Sequence, residues 1–245
     1  MSAPRFHCDF PLAPHVAGAE IELAAAASRH IAQSLRMRIG DAVTLFDGGG
    51  GEYSAFISRI DRRGVAVRIA AFDPRDRESS HPVTLAQSVI ASDMMDLVVR
   101  KAVELGVRAI VPLHAERSQR IPEARGARRA LHWRQIAIAA CEQCGRNLVP
   151  SIADVVTLDE WMSDRHPEND AIVLDADATT PFAVSARARM PSLVLVGPEG
   201  GLTDAERKHA AHRGFIPVRL GAGVLRAETA ALAALAALLV LQDVR

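Results

Sequence analysis

Two glycine-rich stretches hold the residues whose types and spacing could do chemistry: Leu193–Gly201 (LVLVGPEGG) and Leu220–Ala230 (LGAGVLRAETA). Each contains or follows a short apolar run. A glycine turn at the end of a buried strand lets backbone N–H and C=O groups approach a ligand closely, because no Cβ stands in the way. Two such turns at neighbouring strand ends would share one crevice. Glu199 lies in the middle of the first turn, while Arg226 and Glu228 stand where the nearly charge-free segment Ala227–Gln242 begins. Charges at the mouth of an apolar element cost desolvation energy unless they are paired or used. A structural Arg–carboxylate pair and a functional pair are both open at this point, as is a plain strand-to-helix turn capped by Thr203.

Other chemistry finds less support. The nicotinamide fingerprint G-x-G-x-x-G and the phosphate loop G-x-x-x-x-G-K-[ST] are both missing from the sequence. The run Gly48–Gly51 precedes EYSAFISRI, which is strand-like, so a wide hairpin turn is expected there rather than an anion loop. Cys141-x-x-Cys144 closes a helical stretch, whereas a redox motif of that spacing opens one, and no second cysteine pair completes a zinc site. The nine histidines are scattered, and no metal is expected.

The elements that must position the glycine turns fall into two groups. Apolar, β-prone runs at Ile21–Leu23, Val43–Phe46, Tyr53–Ile60 and Val65–Phe72 predict a β-rich first domain over residues 1–72, with a short helix over Ser28–Met37. The polar, proline-bounded stretch 73–82 (DPRDRESSHP) reads as a linker. Over 83–245 strands and helices alternate. Strands are expected at Val83–Ile90, Val107–Val111, Ala171–Leu174, Leu193–Val196 and Phe215–Leu220. Helices are expected from Ser92 or Asp93 to Leu105, from about Glu123 to Arg146, after the capping-box sequences at Thr157 and Thr203, and over Ala227–Gln242. Such alternation predicts an α/β fold with a mainly parallel sheet covered by helices.

Charges balance at 29 basic and 29 acidic residues, which argues against a chain whose whole surface is a glove for polyanions. The basic residues are nonetheless concentrated. Arg29, Arg36 and Arg38 lie in one short segment, and seven arginines lie between Arg117 and Arg146. Two such segments in a neutral chain are consistent with a nucleic-acid footprint, the alternative being solvated helix faces. The N-terminal residues lack the layout of a signal peptide, and the longest apolar run, Ala230–Leu241, is too short to span a bilayer. A cytoplasmic protein without a membrane partner is expected.

Taken together, GPEGGLT (197–203), LGAGVLRAETA (220–230), IAIAACEQCGRNLVP (136–150), RKAVELGV (100–107) and the RHIAQSLRMRIGD segment resemble the RsmE-type methyltransferases of the SPOUT superfamily, which modify uridine at N3 in 16S ribosomal RNA. The resemblance extends over nearly the whole chain. It implies a PUA-like RNA-binding β-barrel followed by a SPOUT methyltransferase domain tied in a deep trefoil knot. It further implies S-adenosyl-L-methionine as cofactor, 16S rRNA or the small ribosomal subunit as partner, and a homodimer in which each site is completed by the other chain. By position, the cofactor site falls on Leu195, Gly197, Pro198, Glu199, Gly200, Leu220, Gly221, Val224, Leu225, Thr229 and Ala230. RNA contacts fall on Arg29, Arg36, Arg38, Lys101, Arg117, Arg120, Arg134, Arg146 and Asn147. Gly223 stands where relatives often carry a basic residue.

Methyl transfer from a sulfonium needs neither a metal nor a covalent enzyme intermediate; it needs in-line positioning. Uridine N3 is a poor nucleophile while protonated, so a group must take its proton or stabilise the anion. Arg226 is the candidate for stabilising a uracil carbonyl oxygen, with Glu228 and Glu199 as candidates for base or for orienting that arginine. Competing readings are a SPOUT enzyme acting on the ribose 2′-oxygen, a non-catalytic RNA-binding assembly factor, and a redox protein using Cys141 and Cys144.

Overall fold

In a computed structural model, described over residues 3–12, 17–164, 170–188 and 190–242, the chain divides into two compact units. One comprises Met1–Glu78 with Cys141–Val149, the other Ser79–Ala140 with Pro150–Arg245.

The first unit is a five-stranded sheet: β1 (Arg5–His7), β2 (Glu20–Glu22), β3 (Ala42–Phe46), β4 (Glu52–Asp61) and β5 (Gly64–Asp73), in the order β1-β3-β4-β5-β2. Alternate side chains of β4 and β5 point inward, as the period of two requires. Tyr53, Ala55, Ile57, Val65, Val67 and Ile69 thus join Phe6, Ile21, Ile31, Val43 and Leu45 in one apolar core. Register shifts at Ser54/Ala55 and Ile57/Arg59 interrupt this ladder; such bulges bend a strand and increase its twist. The resemblance implied a barrel; among the described residues, β1 and β2 share no closing ladder.

The glycine run after β3 is a hairpin connection. Asp47 Oδ1 accepts the Gly49 N–H at 2.9 Å, and Gly48, Gly50 and Gly51 take positive φ. The helix expected over 28–37 forms as α1 (Ala25–Arg29) and continues as a π-helical turn, His30–Leu35, which stops at Arg36 with φ 52°. Arg29, Arg36 and Arg38 are exposed.

The second unit is built on a parallel sheet of β6 (Thr84–Ser88), β7 (Ala109–His114), β8 (Ser151–Ile152), β9 (Val156–Thr157), β10 (Ala171–Leu174), β11 (Leu193–Val196) and β12 (Ile216–Val218). The order is β12-β10-β11-β6-β7-β8, and β9 also pairs with β7. The central strand β11 is apolar at every position and buried at every position, as expected of a parallel strand covered on both faces.

Helices α2 (Ser92–Glu104), α3 (Glu123–Cys144), α4 (Leu158–Ser163), α5 (Phe182–Ala188), α6 (Asp204–His212) and α7 (Ala227–Gln242) connect or flank these strands. In α2, Met95, Val98, Val99, Ala102 and Val103 form a buried face at helical spacing, and Gly106 with φ +84° turns the chain out after its end. Capping boxes start α4 at Thr157 with Glu160 and α6 at Thr203 with Glu206. In α7, apolar residues occur all round the helix, which packs on α2, α5 and β11.

Candidate active site

Open parallel sheets bind ligands beyond the carboxyl ends of their strands, where the strand order reverses. Here β6, β11, β10 and β12 are neighbours, and the residues just beyond their ends line a single cleft of about 750 Å³. Ala91 comes from the segment after β6, Asp175 from β10, Gly197 from β11 and Leu220 from β12. The two glycine-rich stretches of the sequence therefore do share one crevice.

The first turn is tightly held. The Gly201 N–H donates to the Pro198 carbonyl at 2.8 Å, with Gly201 at φ +69°. A Cβ on Gly197 would lie 3.1 Å from Leu202 Cγ, and one on Gly200 would lie 3.3 Å from the Cβ and Cδ of Arg117. Arg117 Nη1 donates to the Gly200 carbonyl at 2.9 Å. Glu199 Oε1 accepts the N–H of Ala91 at 3.0 Å, immediately before α2. The second turn is more open: Val224 is 85% exposed, and Arg219 Nη1 holds the Gly221 carbonyl at 3.1 Å.

Arg226 and Glu228 both line the cleft but do not pair with each other, and among the described residues neither side chain has a hydrogen-bond or ion-pair partner. Arg226 is exposed, whereas Glu228 retains only 9% of its surface. The reading of these two charges as a purely structural pair is thereby removed.

Of the expected cofactor residues, Gly197, Pro198, Glu199, Gly200, Leu220, Val224, Leu225 and Ala230 line the cleft. Three do not. Leu195 is sealed in the core beside Leu193 and Leu202, Gly221 turns away with its carbonyl tied to Arg219, and Thr229 lies on the exposed side of α7.

The cleft also contains groups that sequence reading passed over. Asp175 and Asp177 follow β10, and Arg207 approaches Asp175 at 3.9 Å while also pairing with Asp204. Their polarity resembled that of any loop; only the strand order, which sets β10 between β12 and β11, brings them to the site.

The expected RNA surface needs correction at two places. Arg146 and Asn147 are 5% and 1% exposed. Arg146 is paired with Glu78, while Asn147 accepts from Arg5 Nη2 and donates to the Arg75 carbonyl at 3.1 Å. Both are internal struts of the first unit, and neither head group faces a surface. Arg117 lies in the cleft wall. Arg120 and Arg134 are exposed as expected, and Lys101 is half-buried with its ammonium on Glu104 at 2.9 Å. Cys141 is fully buried, and burial pushes its thiol up to about 12, offset only in part by the Arg146 guanidinium. A thiol held protonated in this way is not a redox nucleophile.

The comparison with known proteins agrees with this geometry. Residues 77–239 match the RNA methyltransferase domain, and residues 23–70 match the RNA methyltransferase PUA domain. Fold and cleft thus define an RNA methyltransferase of mixed α/β architecture with a PUA domain. The chain belongs to the family of the ribosomal RNA small subunit methyltransferases E. The member from Buchnera aphidicola subsp. Acyrthosiphon pisum is 30% identical over 86% of this chain and 84% of its own, and that from Aquifex aeolicus is 35% identical over 73% and 76%. Among solved structures, the ribosomal RNA small subunit methyltransferase E of Neisseria gonorrhoeae bound to S-adenosyl methionine superimposes with a TM-score of 0.89 at 34% identity, covering 98% of both chains. A methyltransferase of Legionella pneumophila in complex with bound SAM superimposes with a TM-score of 0.90 at 35% identity, also covering 98% of both chains.

Proposed function

We propose that this chain methylates N3 of a specific uridine of 16S rRNA in the small ribosomal subunit, using S-adenosyl-L-methionine. The observation that carries this reading is the pair Arg226 and Glu228, unpaired and open to a cleft built on two glycine turns, in a member of this family.

The residues present fit the cofactor. Val173, Val196, Leu220 and Leu225 offer apolar walls for an adenine ring, and the glycine turns bring backbone groups to its edge. Asp175 and Asp177 suit ribose hydroxyls or a cationic amine, and Arg207 suits a carboxylate. A side chain at Gly200 would press on Arg117 and narrow the wall. When bound, S-adenosyl-L-methionine supplies an electrophilic methyl group on its sulfonium.

This chain's own residues prepare the nucleophile. Glu228 accepts the N3 proton of uridine, because its carboxylate is unpartnered whereas Glu199 is engaged by the Ala91 N–H. Arg226 stabilises the charge that moves onto a uracil carbonyl oxygen as the proton leaves. The first unit grips RNA through Arg29, Arg36 and Arg38, and the second unit contributes Arg120, Arg134 and Lys101. The same reading carries an RNA-binding domain over the first unit, Met1–Glu78 with Cys141–Val149, in place of the expected 1–72 and 73–82 linker, and a catalytic domain with a trefoil knot over the second. It also carries a homodimer and a place in the cytoplasm; among the described residues, no helix is long and apolar enough to cross a membrane.

The test is nucleoside mass spectrometry on small subunits lacking the modification, incubated with purified protein and S-adenosyl-L-methionine. Formation of 3-methyluridine supports the reading. A 2′-O-methylated nucleoside, or no product although the cofactor binds, overturns it.

A further inference from the structure

Within the second unit, the segment after β7 carries arginines expected to meet RNA, yet it is tied to the first glycine turn at several points. The Arg117 Nη1 bond to the Gly200 carbonyl is 2.9 Å long, and the alkyl part of the same side chain lies where a Cβ on Gly200 would fall. One residue earlier, the Glu116 N–H donates to Glu206 Oε1 at 2.8 Å. Glu206 Oε2 meanwhile accepts the Thr203 N–H at 2.8 Å, so one carboxylate joins this segment to the end of the glycine turn. On the other side, the Gln119 N–H donates to the Val89 carbonyl at 3.2 Å, just after β6.

We infer that Arg117 is a positioning residue for the cofactor turn rather than a phosphate contact. This rests on the reading of the cleft as the S-adenosyl-L-methionine site. A guanidinium on the Gly200 carbonyl, flanked by two backbone anchors, fixes which way that peptide faces. The peptide in turn sets which backbone groups of the turn meet a ligand. Arg120, three residues on and exposed, is left for RNA.

The test compares wild type, Arg117→Met and Arg117→Lys. Affinity for S-adenosylhomocysteine, the demethylated product, is measured by calorimetry without RNA, and the melting temperature is measured without ligand. Arg117→Met keeps the alkyl packing but removes the donor; it should bind about tenfold more weakly, the effect of one charge-assisted hydrogen bond. Its melting temperature should match wild type because the side chain is exposed. Arg117→Lys, which restores a charged donor, should recover most of the affinity. Unchanged product affinity in Arg117→Met overturns the inference. Failure of the wild type itself to bind S-adenosylhomocysteine overturns instead the cofactor reading on which it rests.

Discussion

Glu199 Oε1 accepts the backbone N–H of Ala91 at 3.0 Å, linking the middle of the glycine turn to the residue that caps α2. Ala91 makes no side-chain cap of its own, and helix starts leave backbone donors unsatisfied. Glu199 is therefore a clamp between the ends of β11 and β6. Glu199→Gln keeps an oxygen for that N–H and should retain most turnover. Glu199→Ala should lose about 1 kcal/mol of local stability, the usual effect of a lost cap, and weaken cofactor binding. Steady-state kinetics on both variants decide the matter: equal, severe losses in kcat would make Glu199 the base.

Arg226 reaches the cleft without a partner among the described residues, so its charge is available to a reacting carbonyl. Arg226→Ala should lower the methyl-transfer rate by about a hundredfold or more, as removal of an oxyanion donor does, while leaving affinity for S-adenosylhomocysteine within about twofold. Single-turnover rates beside calorimetry separate the two effects. A parallel loss in both would reassign Arg226 to cofactor binding.

Arg146 and Glu78 form an ion pair in which both side chains are nearly buried, at 6% and 13% exposure. Removing one partner strands the other, and Arg146→Ala should cost about 3 kcal/mol in urea unfolding. The same variant should leave the salt dependence of RNA binding unaltered. Arg38→Ala is expected to do the reverse, leaving unfolding unchanged and lowering the log–log salt slope by about 1.

Two carboxylates of the first unit give opposite pH signatures. Burial pushes Glu52 up, but hydrogen bonds from Arg5 and Arg77 outweigh it and hold the carboxyl below its usual range. A depressed folded-state value adds stability above the ordinary glutamate range, and that stability disappears as pH falls through the folded value. The gap in melting temperature between wild type and Glu52→Gln should therefore be constant near neutrality and close in acid. Glu142 is raised by burial, countered in part by the His7 N–H. Its ionisation opposes folding, so Glu142→Gln should help most at neutral pH and least in acid. Melting curves of both variants from neutral to acidic buffer check the two signs.

Much of this architecture was legible in the chain. Leu193–Val196 and Ala171–Leu174 are short apolar runs bounded by polar or glycine residues, and they form strands at those bounds. Thr157 and Thr203 each stand three residues before a glutamate, and both capping boxes form. Asp175 and Asp177 were not legible as site residues, because their place depends on which strands are neighbours, and that is decided by long-range pairing. Arg146 was misread for a related reason: charge counted along the chain is blind to Glu78, far away in sequence, which neutralises it. Leu195 was assigned to the cleft from its place in a motif, but alternation along β11 turns it into the core.

The cleft also has a history within each act of synthesis. Its walls come from Ala91, Arg117, Asp175, Gly197, Leu220 and Ala230, and the strand leading to Leu220 follows every other strand of the described residues. A nascent chain still held by the ribosome short of that point lacks one side of the pocket. The methyl-donor site therefore forms only once the chain has been made through Ala230. Once formed, a site that exists only in the native state adds about 2.7 kcal/mol of stability at a donor concentration a hundred times its dissociation constant. An enzyme that modifies ribosomes would then become competent only after a ribosome has made both of its glycine turns.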